Sequence, residues 1–424
     1  MKKLILICLN ISLFILGQAI NINVDKPGTL TNLLSDSAKV TVTELIVTGN
    51  IDARDIKCMR DEMPDLSVLD LSGTVIQKYT GRDGTSSSIT SYYFNHLPDL
   101  SFYNKTTLTK IYLPNSLVNI MTCAFENCSG ITTITFPNTL YAIGFGAFYS
   151  CTGLKGKLII PNSVKCIGDY AFYFCSGLSE MNIPNSIKTI GSYAFMNCYG
   201  LDCNLNFPNT LTQLGQYAFS ECKGLIGNLI IPNSLKTIPK GAFGYCIGLN
   251  SLTIPNSITS IENGAFNHCS GLTGNLILPN SITKIESFVF RDCSNLSKVI
   301  FPNSITSISN YAFKGCTQLS DSLIIPNSVN KIGENAFDSC RKLKYIVIPG
   351  SVTSFGKNVF ANCTGLKSIS SLIRIPIDLR LTPSIFMGIN KTTCILFVLS
   401  ESKAEYQSAY TWNDFIDIEA IKYY

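Results

Sequence analysis

The amino-acid sequence predicts a solenoid of stacked coils, with one continuous parallel β-sheet on one side and short irregular or helical turns on the other. Three observations carry that expectation. A phrase of the type Ile-Pro-Asn-Ser-Ile recurs, its prolines standing at Pro114, Pro137, Pro161, Pro184, Pro208, Pro232, Pro255, Pro279, Pro302, Pro326 and Pro349, always 23 or 24 residues apart. Fourteen residues after each proline comes a cysteine, from Cys128 to Cys363, and that interval never varies. Only 14% of the residues are charged, against about 25% in ordinary globular chains. Asn, Ser and Thr must therefore supply the polar surface of a regular array.

A period of this length with Leu-x-x-Leu-x-Leu character is that of a leucine-rich-repeat solenoid. One unit shows why it stacks. Leu296-x-x-Val299-x-Phe301 alternates like a short strand, and Pro302, lacking an N–H, ends the ladder. Ile305 and Ile308 turn inward, Ala312-Phe313 fills the centre and Cys316 closes the coil. Alone, such a coil buries almost nothing, whereas stacking sets each Ile and Phe against its counterpart one rung away. The extra residue of the longer units falls between the cysteine and the next proline, so one side of the coil tolerates a bulge. Gly144, Gly168, Gly191 and Gly215 share one place that later copies fill with Pro239, Glu262, Glu286 and Ser309, so no glycine backbone is demanded there.

An open solenoid must hide its terminal core, and the ends of the repeat array depart from the pattern accordingly. Residues 20–108 are expected to form an amino-terminal cap with one irregular rung at Leu66–Gly73 and a polar loop near Thr80–Ser91; residues 109–369 the eleven units; and residues 370–424 a degenerate rung at Ile385-Phe386 and a carboxy-terminal cap. In that last cap Cys394–Leu399 reads as a strand and Ala404–Tyr410 as a short helix, with Trp412 and Phe415 as the plug. Residues 1–19 have the layout of a secretory signal peptide: Lys2-Lys3, the apolar run Leu4–Leu16, then Gly17-Gln18-Ala19 ahead of the cut. That run is too short to span a bilayer, and no later segment is long and apolar enough to do so. Removing Lys2 and Lys3 takes the formal net charge from +5 to +3, and no basic tract calls for nucleic acid.

Seventeen cysteines in an exported chain would ordinarily mean disulfides. Eleven of them occupy one repeated place, where a small buried hydrophobe fits. Rungs about 4.8 Å apart hold equivalent Cβ atoms beyond the usual disulfide separation. Free, inert thiols are expected on the ladder, and the state of Cys58, Cys123, Cys166, Cys203 and Cys394 stays open. With two histidines and no Cys-x-x-Cys pair in the chain, no metal site or cofactor is expected. His268 beside Cys269 invites a nucleophile pairing, but Asn197, Glu221, Tyr245 and Asp292 fill the same place elsewhere. No phosphate-cradling loop, paired-carboxylate signature or Ser–His–Asp motif is present, so catalysis is not expected. The Asn after each proline, Asn115 to Asn327, is expected to satisfy backbone groups at the strand-ending turn, with glycan binding as the rarer use.

Two surfaces are candidates for a partner. The strand residue two places before each proline should point outward, and at Ile277, Ile300, Ile324 and Val347 it is apolar on successive rungs. Such a row is either ordinary β-propensity or a patch of the kind that marks an interaction site. Tyr170, Tyr193 and Tyr217, just before Ala-Phe, form a second row, either aromatic anchors or rings packed on the turns beneath.

The run Leu178-x-x-Met181-x-Ile183-Pro-x-Ser-Ile-x-x-Ile-Gly-x-x-Ala-Phe-x-x-Cys198 closely resembles the BspA-like family of leucine-rich repeats, and the likeness covers Leu108 to Leu366. Leu45–Asn50, Leu69–Gly73, Cys394–Val398 and Tyr406…Trp412-x-x-Phe415 resemble the flanks of its Bacteroides-type members, except that Leu399-Ser400 stands where a proline is usual. The resemblance implies a secreted or cell-surface adhesin-like protein that binds a protein ligand of a host matrix, serum or another cell. It carries no ligand motif that could be placed on residues here. A self-associating surface coat is the alternative, and a glycan-binding protein or enzyme a more distant one.

Overall fold

The computed structural model describes residues 18–421, and within them the chain winds as a parallel solenoid. The expected signal segment lies outside the described residues as far as Gly17. Each coil contributes strand to two ladders rather than one. The first holds the Leu-x-x-Ile-x-Ile segments, for example Leu249–Thr253, Leu296–Ile300 and Leu343–Ile348. The second holds two-residue strands after the proline turn, such as Thr189–Ile190 and Ser307–Ile308. All rung-to-rung pairings in both are parallel. Most of the two-residue strands bury an inward isoleucine, such as Ile190 and Ile308, while Phe355 takes that place in a later rung and Leu214 there is half-buried.

The strand sheet is interrupted rather than continuous, and the longer units explain it. Five residues before the proline, four of the five 24-residue units carry Gly156, Gly227, Gly274 and Asp321 at φ of 63–77°, while the fifth has Cys203 there. The pairing register shifts beside each of them. Gly156 and Gly274 have open space where a Cβ would stand, so the left-handed backbone rather than crowding selects glycine there. The bulge tolerance read from the spacing is this kink.

The remaining side of the coil is a third ladder that holds no regular strand. Nine and thirteen residues after each of the eleven prolines the backbone is left-handed, from Cys123 and Asn127 to Asn358 and Asn362. At these places, and at the phenylalanine between them, the N–H points along the solenoid axis and donates to the next coil, as in Tyr193 to Gln216 O (2.8 Å), Phe195 to Ala218 O (2.8 Å) and Asn197 to Ser220 O (3.0 Å). A turn segment thereby satisfies its polar backbone without helix or sheet.

Thirteen phenylalanines, Phe102 to Phe386, stack along the centre with ring centroids 5.0–6.2 Å apart and planes within 17°. The eleven ladder cysteines flank this spine, fully buried, each S–H aimed at a phenylalanine carbonyl of the preceding rung, as in Cys222 to Phe195 O (3.0 Å).

At the amino end, Gln18–Val24, Val42–Ile51 and Val68–Ile76 extend the sheet ahead of the repeats, two strands more than the single Leu66–Gly73 rung suggested. The helix Ala53–Asp61 packs there, its start closed by a reciprocal Asp52/Asp55 capping box. At the carboxy end, Ile395–Val398 and Ile418–Ala420 add two parallel strands, and Lys403–Ser408 is the short helix. Trp412 and Phe415 are buried against Phe386 at 5.1 and 5.2 Å, and the indole N–H donates to Ile377 O. They end the spine.

Candidate binding surfaces

On the strand face, Ile277, Ile300 and Ile324 project outward, 63%, 40% and 64% exposed, while Val347 is half-buried. Ile277 pairs in register with Ile300, and Ile324 with Val347. The sheet break falls between these pairs, so the row is two bonded couples rather than four equal rungs. A surface groove of about 570 Å³ opens beside the first couple, lined by Leu252, Ile254, Ile277, Leu278, Ile300 and Phe301, with Asn256 and Asn280 at its edge. Ile159 and Ile230 are as exposed on earlier rungs.

The Asn column contradicts its expected role. Asn138 to Asn327 lie exposed, and no side-chain hydrogen bond to the backbone is made by them among the described residues. On most rungs the Ser or Thr one place later does that work: Ser186 donates to Val164 O, Thr210 to Ile187 O, Ser304 to Ile282 O and Ser351 to Val329 O, at 2.6–2.8 Å, whereas Ser163 and Ser257 make no such bond. A hydroxyl on the shorter arm reaches the carbonyl one rung back, which leaves the amides facing solvent.

On the turn face, Tyr170, Tyr193 and Tyr217 stack on one another at 4.7 and 5.1 Å, all half-buried and all left-handed. Left-handed backbone costs a tyrosine roughly 1–2 kcal/mol, offset here by the inter-rung hydrogen bond and the stack. Phe145, Tyr149 and Tyr173 pack around the Tyr170 ring, with Tyr149 and Tyr173 stacked at 4.8 Å, and Phe174 and Tyr199 extend the cluster from Tyr173. The same column resumes at Phe288 and Tyr311, 4.9 Å apart. Phe145, Tyr149, Tyr173, Phe174 and Tyr199 are not evident in the sequence as one group because they lie at four different places of the coil, which only the turn geometry brings together.

Sites of chemistry do not assemble. His268 faces Asp292 at 3.3 Å and stacks on Tyr245 at 4.4 Å. Its neighbour Cys269 points the other way, fully buried, with its S–H on Phe243 O and burial pushing the thiol up to about 12. Sixteen unpaired thiols occur among the described residues; Cys123, Cys166 and Cys203 are partly accessible and the rest buried. Burial likewise raises Cys128 and Cys198 to about 12 and Cys394 to about 11. No thiolate nucleophile is available at neutral pH from such groups. Among the described residues, no group of three or more His, Cys, Asp or Glu side chains is placed to hold a metal ion. No helix among them is long and apolar enough to cross a membrane.

Comparison with known proteins agrees with this architecture. A model of the BspA type leucine rich repeat region matches residues 95–226, 225–320 and 289–377. A leucine-rich repeat protein of Bacteroides ovatus, known from its crystal structure, is similar at 24% identity and a TM-score of 0.60, over 95% of this chain and 92% of that one. A leucine rich cell surface protein of Faecalibacterium prausnitzii matches at 25% identity over 69% of this chain and 86% of its own, with a TM-score of 0.40. A leucine-rich repeat protein of Eubacterium ventriosum matches at 19% identity over 69% and 88%, with a TM-score of 0.45. No curated protein matches the chain.

Proposed function

Since the chain belongs to the BspA-type leucine-rich repeat family, whose solenoids are non-catalytic scaffolds of the kind used for recognition, we propose that it is an exported, adhesin-like binding protein that takes a protein ligand. The observation that carries the reading is the outward apolar row at Ile277, Ile300 and Ile324, with Val347 at its end, beside the groove on the strand face. A solvated sheet surface has no need of three large aliphatic side chains on neighbouring rungs. Export rests on the signal layout of residues 1–19 and places the protein in the medium or at the cell surface. The reading needs no cofactor and no nucleic acid.

A magnitude follows from the exposures. Full burial of an isoleucine contributes about 1.5–3 kcal/mol, so three at 63%, 40% and 64% exposure offer a partner about 2.5–5 kcal/mol together. The test is binding of the chain from Ile20 to Tyr424 to an array of matrix proteins, serum proteins and glycans. A second sample carries Ser at positions 277, 300, 324 and 347. Saturable binding of a protein that weakens about a hundredfold or more in the folded variant supports the reading. Unchanged binding by the variant refutes this face, and exclusive binding to glycans refutes the protein ligand. A concentration-dependent assembly that the variant abolishes would make the row a self-association surface instead.

A further inference from the structure

The aromatic column on the turn face has a gap of two rungs. Nine residues after the proline stand Tyr170, Tyr193 and Tyr217, then Gly241 and Gly264, then Phe288 and Tyr311. The rings on each side of the gap are parallel stacks, with planes 16° apart at Tyr193/Tyr217 and 3° apart at Phe288/Tyr311. One face of each is covered by the next ring of the column, and a cation also stands over each ring at the gap: Lys240 Nζ lies 5.9 Å from the Tyr217 centroid and the Arg291 guanidinium 5.7 Å from that of Phe288. The Tyr217 ring leans over Gly241, filling the space where a Cβ would stand. Above Gly264 the space is open: its Cβ would meet only Asn267 Cβ, at 3.8 Å.

The result is a cavity of about 300 Å³ bounded by Tyr217, Tyr245 and Phe288, with Lys240, Asn263 and Asn267 at its margin. The Oδ1 of Asn267, at the cavity margin, is buried without a hydrogen-bond partner. Its size lies at the lower end of ligand pockets, and aromatic walls with few polar groups are the usual lining.

We propose that this slot is a binding subsite for one aromatic side chain with a ring N–H or O–H, a tryptophan or tyrosine presented by a protein partner, which completes the interrupted stack. The occupant is defined by the column itself: where neighbouring rungs both carry a ring at this place, the rings stand parallel at 4.7–5.1 Å. An offset-stacked ring gains from each aromatic wall it meets, and the donor on its edge meets the Asn267 amide. The slot lies on the turn side, so the inference goes beyond the strand-face reading and stands without it.

The test uses the folded chain with N-acetyl-tryptophanamide as the probe, followed by saturation-transfer NMR and equilibrium dialysis. N-acetyl-leucinamide and methyl β-glucoside are run in parallel. The blocking variant is Gly264→Tyr, because tyrosine already holds this left-handed place at Tyr170, Tyr193, Tyr217 and Tyr311. Phe288→Ala removes one wall and serves as the second variant. The expected result is saturable binding of the tryptophan probe, about tenfold weaker in either variant and about tenfold weaker for the leucine probe. Absence of saturable binding, binding unaffected by both substitutions, or tighter binding of the glucoside overturns the proposal.

Discussion

Replacement of Phe219 by alanine tests how the solenoid holds itself together. The ring is fully buried, faced by Phe195 at 5.2 Å and 8° and by Phe243 at 5.9 Å and 4°, with Phe207 edge-on at 5.6 Å. Large-to-small substitution of a buried phenylalanine costs about 3–5 kcal/mol, the higher values where the site cannot collapse. Collapse is blocked here. Backbone hydrogen bonds on both sides, Phe195 N–H to Ala218 O at 2.8 Å and Phe219 N–H to Ala242 O at 2.9 Å, hold the rungs apart. A loss of about 4–5 kcal/mol is therefore expected. Equilibrium unfolding in urea, followed by far-UV circular dichroism, reads it. Ile277→Ser, at an exposed place, is the control and should change stability by about 0.5 kcal/mol or less. Because each coil touches only its neighbours, the variant should also split the transition into two phases as the two halves of the array uncouple. A loss below about 1 kcal/mol, or one no larger than the control's, would refute the claim that the ring spine is the chief source of cohesion.

Three further outcomes follow from the same geometry. In native protein a thiol reagent should modify at most Cys123, Cys166 and Cys203, with the other mature thiols reacting only in denaturant; rapid modification of a ladder cysteine would contradict their burial. Gly274→Val should destabilise by about 1–2 kcal/mol through its left-handed backbone alone, whereas Gly274→Asp should be mild because Asp321 holds the equivalent place at φ 63°; equal midpoints for the two in thermal unfolding would count against the kink. Burial opposes ionisation of Asp338, but hydrogen bonds from Lys314, Asn362 and Ser339 outweigh it and hold its carboxyl below the usual range, while Lys39 does the same for Glu62. Depressed carboxylates lend stability that is complete above their unfolded values and is lost as pH falls through the lowered folded ones. Unfolding free energy should thus be flat from neutral pH down to about 4.5 and fall below it, and Asp338→Asn should flatten part of that acid limb.

Residues one rung apart were readable from sequence because the solenoid repeats a single set of contacts. The Ala-Phe pair, the invariant cysteine and the inward isoleucines each name a core position, and a period of 23 or 24 residues brings them into register. The caps are partly readable: Trp412 and Phe415 stand out as large rings beyond the last repeat, and Leu45–Asn50 resembles a family flank, but neither Gln18–Val24 nor Val42–Ile51 carries the Pro…Cys spacing that marks a rung. The glycine column at Gly144, Gly168, Gly191 and Gly215 drew notice, yet the left-handed backbone lies two and six residues further on. The signal there was present but scattered among Gly, Asn, Asp and Ser, and it was masked by Tyr and Phe, which adopt that conformation only because the next coil accepts their N–H.

The sequence by itself determined the coil: its length, its core residues and the place of its bulge. All of these are properties of one unit and its identical neighbour. The tertiary structure alone decided how the outer surface is composed. Which side chain caps the proline turn, where the sheet breaks, and which aromatics from different coil positions meet on the turn face depend on backbone angles and reach. Side-chain reach gave the carbonyl to serine and left asparagine in solvent, and two glycines in a ring-bearing column became a slot only once the rings beside them were seen to stack.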